Sequence, residues 1–159
     1  MGGIEGVHAD RGETLLELVI ALAILAVAVV AVVGGLSAGV FMADVHRKQA
    51  TAGATVRDYA EAIETTVASG GYIACAGPAS YATPAGFAPP AGYTASVVPA
   101  SMRYWTGTAW QSSSSTCLSS GDTGLQRLTL RAASADGRAT EQLDVVLRKP
   151  CRLADAICA

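Results

Sequence analysis

An unbroken apolar run near the N-terminus sets the first limit on what this chain can become. From Leu18 to Ala43 no residue is charged, a stretch of 26 residues. As an α-helix it would be roughly 39 Å long at about 1.5 Å per residue, enough to cross about 30 Å of hydrocarbon with some tilt. A core helix of a soluble domain rarely stays apolar on every face for so long, because one side normally meets water. A secretory signal has a shorter apolar region, about 7–15 residues, behind a basic start. Here the segment ahead of Gly12 offers Arg11 against Glu5 and Asp10. The run therefore predicts a transmembrane helix. Composition is consistent with this: 51% apolar residues and 15% charged residues exclude disorder by low hydrophobicity. A net charge of -2 and a pI near 5.6 argue against a general nucleic-acid binder.

A carboxylate stands directly against the run. Glu17 follows Thr14, Leu15 and Leu16, with Glu13 and Arg11 just upstream. An ionised carboxylate at a bilayer edge costs free energy unless it reaches water or a partner, so both a snorkelling Glu and a functional one fit the position. The string Gly12-Glu13-Thr14-Leu15-Leu16-Glu17-Leu18-Val19, continued by Ile20 and an Ala/Leu/Val-rich helix, resembles the type IV prepilin signature. That resemblance implies a leader, residues 1–12, removed by a prepilin peptidase that cuts after Gly12. It makes Glu13 the N-methylated first residue of the mature chain, where the family usually has Phe. It also assigns Glu17, with Thr14 beside it, to filament assembly. In a helical stack of subunits, the Glu17 carboxylate could approach the Glu13 ammonium of a neighbour. Such a pair is stronger in a low dielectric than in water, and it would fix the axial register. Pilins, minor pilins and type II secretion pseudopilins share the signature. Gly34, Gly35 and Gly39 lie in the outer third of the run. They suit close helix packing through Gly35-x-x-x-Gly39, or the loosening of the helix that the resemblance suggests.

Beyond Asp44 the pattern turns amphipathic. Val45, Ala52, Val56, Tyr59, Ile63 and Val67 recur at helical spacing, while Arg47, Lys48, Arg57, Asp58, Glu61 and Glu64 fall mostly off that stripe. One helix is expected to continue to Gly70-Gly71. Residues 71–92, rich in Pro, Gly and Ala, read as loop. Tyr93–Val98 and Met102–Trp105 read as strands parted by Pro99, and Trp105 to Trp110 as a short turn between aromatics. Leu128, Leu130 and Ala132 alternate with Arg127, Thr129 and Arg131; Leu143, Val145 and Leu147 alternate with Gln142, Asp144 and Arg148. Two alternating runs about Asp136-Gly137 predict a hairpin. The fold class expected is α+β: a long N-terminal helix, transmembrane and then amphipathic, packed on a small antiparallel sheet. The divisions are a leader at 1–12, a transmembrane helix at 13–43, an amphipathic helix at 44–69 and an extracytoplasmic head at 70–159.

The four cysteines, Cys75, Cys117, Cys151 and Cys158, all follow the apolar run. Their even number on one side of a membrane segment fits two disulfides and an oxidising compartment. Four cysteines allow three connectivities. The pairs favoured are Cys75 with Cys117, tying the loop to the Ser-rich turn, and Cys151 with Cys158, closing a short C-terminal loop. No CxxC spacing and no histidine near a cysteine supports a metal site, and no cofactor is expected. Catalytic residues are also not expected, because His46 sits at the membrane edge and no Ser/His/Asp set can assemble beyond it. Arg127, Arg131, Arg138, Arg148 and Arg152 gather in and after the hairpin. Such residues are usually the solvated face of a sheet, although a DNA-uptake subunit could set them on phosphates. The function expected is a structural subunit, a minor pilin or pseudopilin, of a type IV pilus or type II secretion-like filament. Its partners would be other pilin subunits, the prepilin peptidase and the lipid bilayer, and it would be displayed at the cell surface after assembly. The rival is a signal-anchored extracellular binding domain that never polymerises.

Overall fold

The computed structural model describes residues 10–112, 117 and 121–151, with side chains from Thr14 onward. Helix α1 spans Asp10–Thr66. The chain divides into two units, Met1–Asp44 and Val45–Ala159. In the first unit, α1 turns every described side chain from Thr14 to Ala43 outward. Backbone hydrogen bonding is satisfied inside the helix, so an apolar surface of this kind asks for lipid or for other helices as its cover. The helix runs unbroken through Gly34, Gly35 and Gly39, and a Cβ added at any of them would meet open space.

In the second unit the amphipathic half of α1 packs on a five-stranded antiparallel sheet. The strands are β1 (Tyr93–Val97), β2 (Arg103–Trp105), β3 (Trp110–Ser112), β4 (Leu125–Ser134) and β5 (Thr140–Arg148). Strand β4 is central. It pairs β5 along one edge and β1, then β2, along the other, with β3 outside β2. The helix stripe Ala52, Val56, Tyr59, Ala60, Ile63 and Val67 is buried, as are Leu128, Leu130, Ala132, Val145 and Leu147 from the sheet. Period-3.6 and period-2 patterns thus meet in one core, with the arginines of β4 left outside.

Glycine ends the helix. After Thr66 one wider turn, Val67–Gly71, carries Gly70 at φ 102, and a Cβ on Gly71 would lie 2.8 Å from the Thr66 carbonyl oxygen. The predicted hairpin turns at Asp136-Gly137, where the Gly137 N–H donates to Ser134 O at 2.9 Å and Gly137 takes φ 70. Asp136 does more than turn the chain. Its Oδ1 accepts from Ser134 Oγ at 2.7 Å, and its Oδ2 from Lys48 Nζ of α1 at 2.6 Å. Lys48, placed off the stripe by the sequence pattern, therefore reaches across to the hairpin tip. These bonds, the one from Lys48 foremost, hold the Asp136 carboxyl well below the usual carboxylate range.

Between β1 and β2 three residues, Pro99, Ala100 and Ser101, leave the register: Val97 faces Leu130, whereas Arg103 faces Arg127. Proline has no N–H for the ladder, and Ala100 takes φ 61. Ser101 repairs the gap, its Oγ accepting the Thr129 N–H at 3.0 Å and donating to Val98 O at 2.8 Å. Ser101→Ala should lower stability by about 1–2 kcal/mol, since a half-buried N–H loses its acceptor. A thermal melt of the detergent-solubilised chain checks this; an unchanged midpoint would contradict the role.

A disulfide and a polar cluster fasten the Tyr72–Ala82 loop. Cys75 and Cys117 are bonded with Cα atoms 5.8 Å apart. Cys151 is also disulfide-bonded, while its expected partner, Cys158, lies outside the described residues. Asp122 accepts hydrogen bonds from Tyr72 Oη at 2.7 Å, Gln126 Nε2 at 2.7 Å, and the N–H groups of Cys75 and Gly124 at 2.9 Å each. Burial pushes the Asp122 carboxyl up, but the bonds from Cys75, Gln126, Tyr72 and Gly124 outweigh it and hold it below its ordinary range. Burial, reinforced by the bond to Asp122, drives the Tyr72 hydroxyl well above the usual tyrosine value. Gln126 is 1% exposed and also donates to Ile73 O at 2.7 Å. Tyr59, fully buried, donates to Tyr81 O at 2.8 Å, joining the loop to α1.

Candidate assembly site

The residues singled out near the N-terminus all fall on the first turns of α1. Among the described residues α1 starts at Asp10, and the Gly12–Glu13 peptide lies within it. Glycine there costs roughly 1 kcal/mol of helix propensity relative to Ala. Thr14 and Glu17 are three residues apart and so lie on one face of the helix, both exposed. Leu15, Leu16 and Leu18 around them are at least 60% exposed, so Glu17 is set in an uncovered apolar surface.

Further along the same helix, Ala23, Ile24, Val27, Ala28 and Ala31 line a shallow apolar concavity. Small side chains at this spacing let another helix approach closely. In the second unit an open groove is lined by Asp58, Glu61 and Thr65 of α1 and by Phe87 and Pro90 of the loop. Among the described residues no group of three or more His, Cys, Asp or Glu side chains is placed to hold a metal ion. The arginines noted in the sequence separate. Arg127, Arg131 and Arg148 share the exposed face of the sheet, Arg138 turns to Asp136 with Nε 3.7 Å from Oδ2, and Arg152 lies outside the described residues.

Residues 8–33 match the family model of the prokaryotic N-terminal methylation motif. The match spans Gly12, Glu13, Thr14 and Glu17 and runs into the apolar helix. The chain carries the type IV pilin and pseudopilin signature. Comparisons with curated proteins and with solved structures give no match. Proteins with this signature are structural rather than catalytic, and the signature implies assembly with other subunits. The apolar helix beside it, the one such helix among the described residues, is compatible with a single-pass anchor. Sequence reasoning reached these residues because the signature is local. It did not reach the Asp122 cluster or the Lys48–Asp136 contact, whose members lie 47–88 positions apart for the Cys75 and Lys48 bonds.

Proposed function

We propose that the chain is a prepilin: a minor pilin or pseudopilin that prepilin peptidase cuts between Gly12 and Glu13 and that then joins a type IV pilus or a type II secretion-like filament. The observation that carries this reading is the signature at residues 8–33, continuous with a helix on which every described side chain from Thr14 to Ala43 is exposed. Before cutting, that helix is a membrane anchor with the sheet and its disulfide in the oxidising compartment. Cutting exposes an ammonium at Glu13 on the cytoplasmic rim. In the filament, neighbouring helices replace lipid as the cover, and the Glu17 carboxylate of one subunit meets the ammonium of the next. Catalysis is not required. The charge pair selects one axial register out of the many that a uniformly apolar helix would permit.

Intact-mass measurement of membrane-extracted protein tests the first step. The expected mass lacks Met1 to Gly12, with a further 14 Da where Glu13 is methylated. A full-length mass from cells with an active prepilin peptidase would overturn the reading and favour a signal-anchored extracellular binding domain that does not polymerise.

A further inference from the structure

The exposed face of the sheet concentrates positive charge that the chain as a whole does not have. Cross-strand pairing sets Val146, Arg127, Arg103 and Ser112 in one row, with Arg148 opposite Leu125 and Trp105 opposite Trp110 beside it. Arg131 follows on β4, four residues from Arg127 and on the same face. Asp144 is the carboxylate on this face of β5, and it accepts a hydrogen bond from Thr129. None of Arg103, Arg127, Arg131 and Arg148 makes an ion pair with a carboxylate among the described residues.

Two features of this face suit a ligand. Arg103, whose Nη1 donates to Ser112 Oγ at 3.0 Å, and Arg127 are directly opposed on paired strands, and an anion bound between them would relieve the repulsion of like charges in that position. Beside them the Trp105 and Trp110 rings lie 5.4 Å apart, and the Arg127 guanidinium sits 5.6 Å from the Trp110 ring centroid. Trp110 is 37% exposed although it has the size of a core residue. The tryptophan pair gives this face aromatic surface beside its cations, which an acidic protein segment does not need. Alternating cations and aromatic faces fit a polymer that carries a charged backbone and flat unstacked rings.

We propose that this face binds single-stranded nucleic acid, with bases stacked on the Trp105–Trp110 pair and phosphates held by Arg103, Arg127, Arg131 and Arg148. The overall net charge of -2 does not oppose this, because the acidic Asp58, Glu61 and Glu64 belong to α1, which covers the other face of the sheet. Binding needs the monomer alone, so it stands or falls apart from filament assembly.

Trp105 and Trp110 are the chain's two tryptophans, so intrinsic fluorescence reports on this face directly. The test titrates the detergent-solubilised full chain into fluorescein-labelled dT20, reading anisotropy, and titrates unlabelled dT20 into the chain, reading tryptophan emission. At 50 mM NaCl the expected result is a saturable anisotropy rise with quenched emission. With four phosphates engaged, 200 mM NaCl should weaken binding roughly 50-fold. The pair Arg103→Gln and Arg127→Gln should weaken it at least about tenfold. Trp110→Ala should weaken it about fivefold or more, and Trp110→Phe should recover part of that loss. These side chains lie outside the core, and an unchanged melting midpoint confirms the fold of each variant. Absence of binding at 50 mM NaCl overturns the proposal. A duplex of the same length binding as tightly overturns the single-strand assignment, and so does heparin or polyglutamate quenching the tryptophans as strongly as dT20.

Discussion

Glu17→Ala should leave membrane insertion and leader cleavage intact while removing the subunit from filaments. The substitution takes a carboxylate out of an apolar surface, so insertion is unaffected or slightly easier. Gly12 and the apolar run behind it remain, and with them the features that prepilin peptidase requires. The loss falls on assembly, where a neighbour's N-terminal ammonium would be buried without its counter-charge, at about 3–5 kcal/mol if the site is dry. That cost recurs at every subunit contact along the filament. The measurement is immunoblotting of sheared surface filaments against total membrane. Wild-type membrane level and wild-type cleavage, with the variant missing from the sheared fraction, is the expected combination. Entry of Glu17→Ala subunits at the wild-type rate would show that Glu17 sets no register.

Asp122→Ala should strongly destabilise the sheet domain. It strands four donors at once: the Tyr72 hydroxyl, the Gln126 amide and the N–H groups of Cys75 and Gly124. With the cluster only part-buried, the expected destabilisation is about 3 kcal/mol. The same cluster bounds the pH range. The Asp122 carboxyl titrates lower in the folded chain than its ordinary 3.8, so its contribution is complete above about pH 4 and is lost as the pH falls further. The Tyr72 hydroxyl is raised above its ordinary 10.0, so the contribution of its protonated form holds below about pH 10 and is lost as the pH rises beyond it. Melting midpoints should therefore fall at both ends. Asp122→Asn should start less stable at pH 7 and show a shallower acid limb, the remainder belonging to groups such as Asp136. An acid limb identical to wild type would show that Asp122 is not the titrating group.

What was legible in the sequence followed from periodicity and short-range chemistry. The helix stripe from Ala52 to Val67, the β4–β5 hairpin about Asp136-Gly137 and the Trp105–Trp110 turn each lie within one segment, and each signal names its own structure. The signature at Gly12 to Glu17 is local in the same way. Other features depend on which segments meet. Nothing around Asp122 announces that Tyr72 and Cys75 will converge on it, because the loop that brings them is irregular and has no ladder of its own. Lys48 looked like a solvated residue, since its partner is the hairpin tip 88 positions later. Arg103 lies apart in sequence from the arginines in and after the hairpin; only the register of β2 on β4 sets it opposite Arg127. Pro99 marked a break between strands correctly, but the repair by Ser101 required the position of Thr129.

The bond between Lys48 and Asp136 also governs how the folded domain would respond to a pull. Lys48 precedes the whole buried stripe of α1, and Asp136 is at the tip of the longest hairpin. Tension drawn along α1 from its N-terminal end reaches this contact before it reaches Ala52, Val56 or Tyr59. The helix can peel from the sheet only after the clamp opens, and until then force is shared between the helix and the nine paired positions of β4 and β5. A single ion pair worth little at rest becomes the first element strained when the domain is stretched.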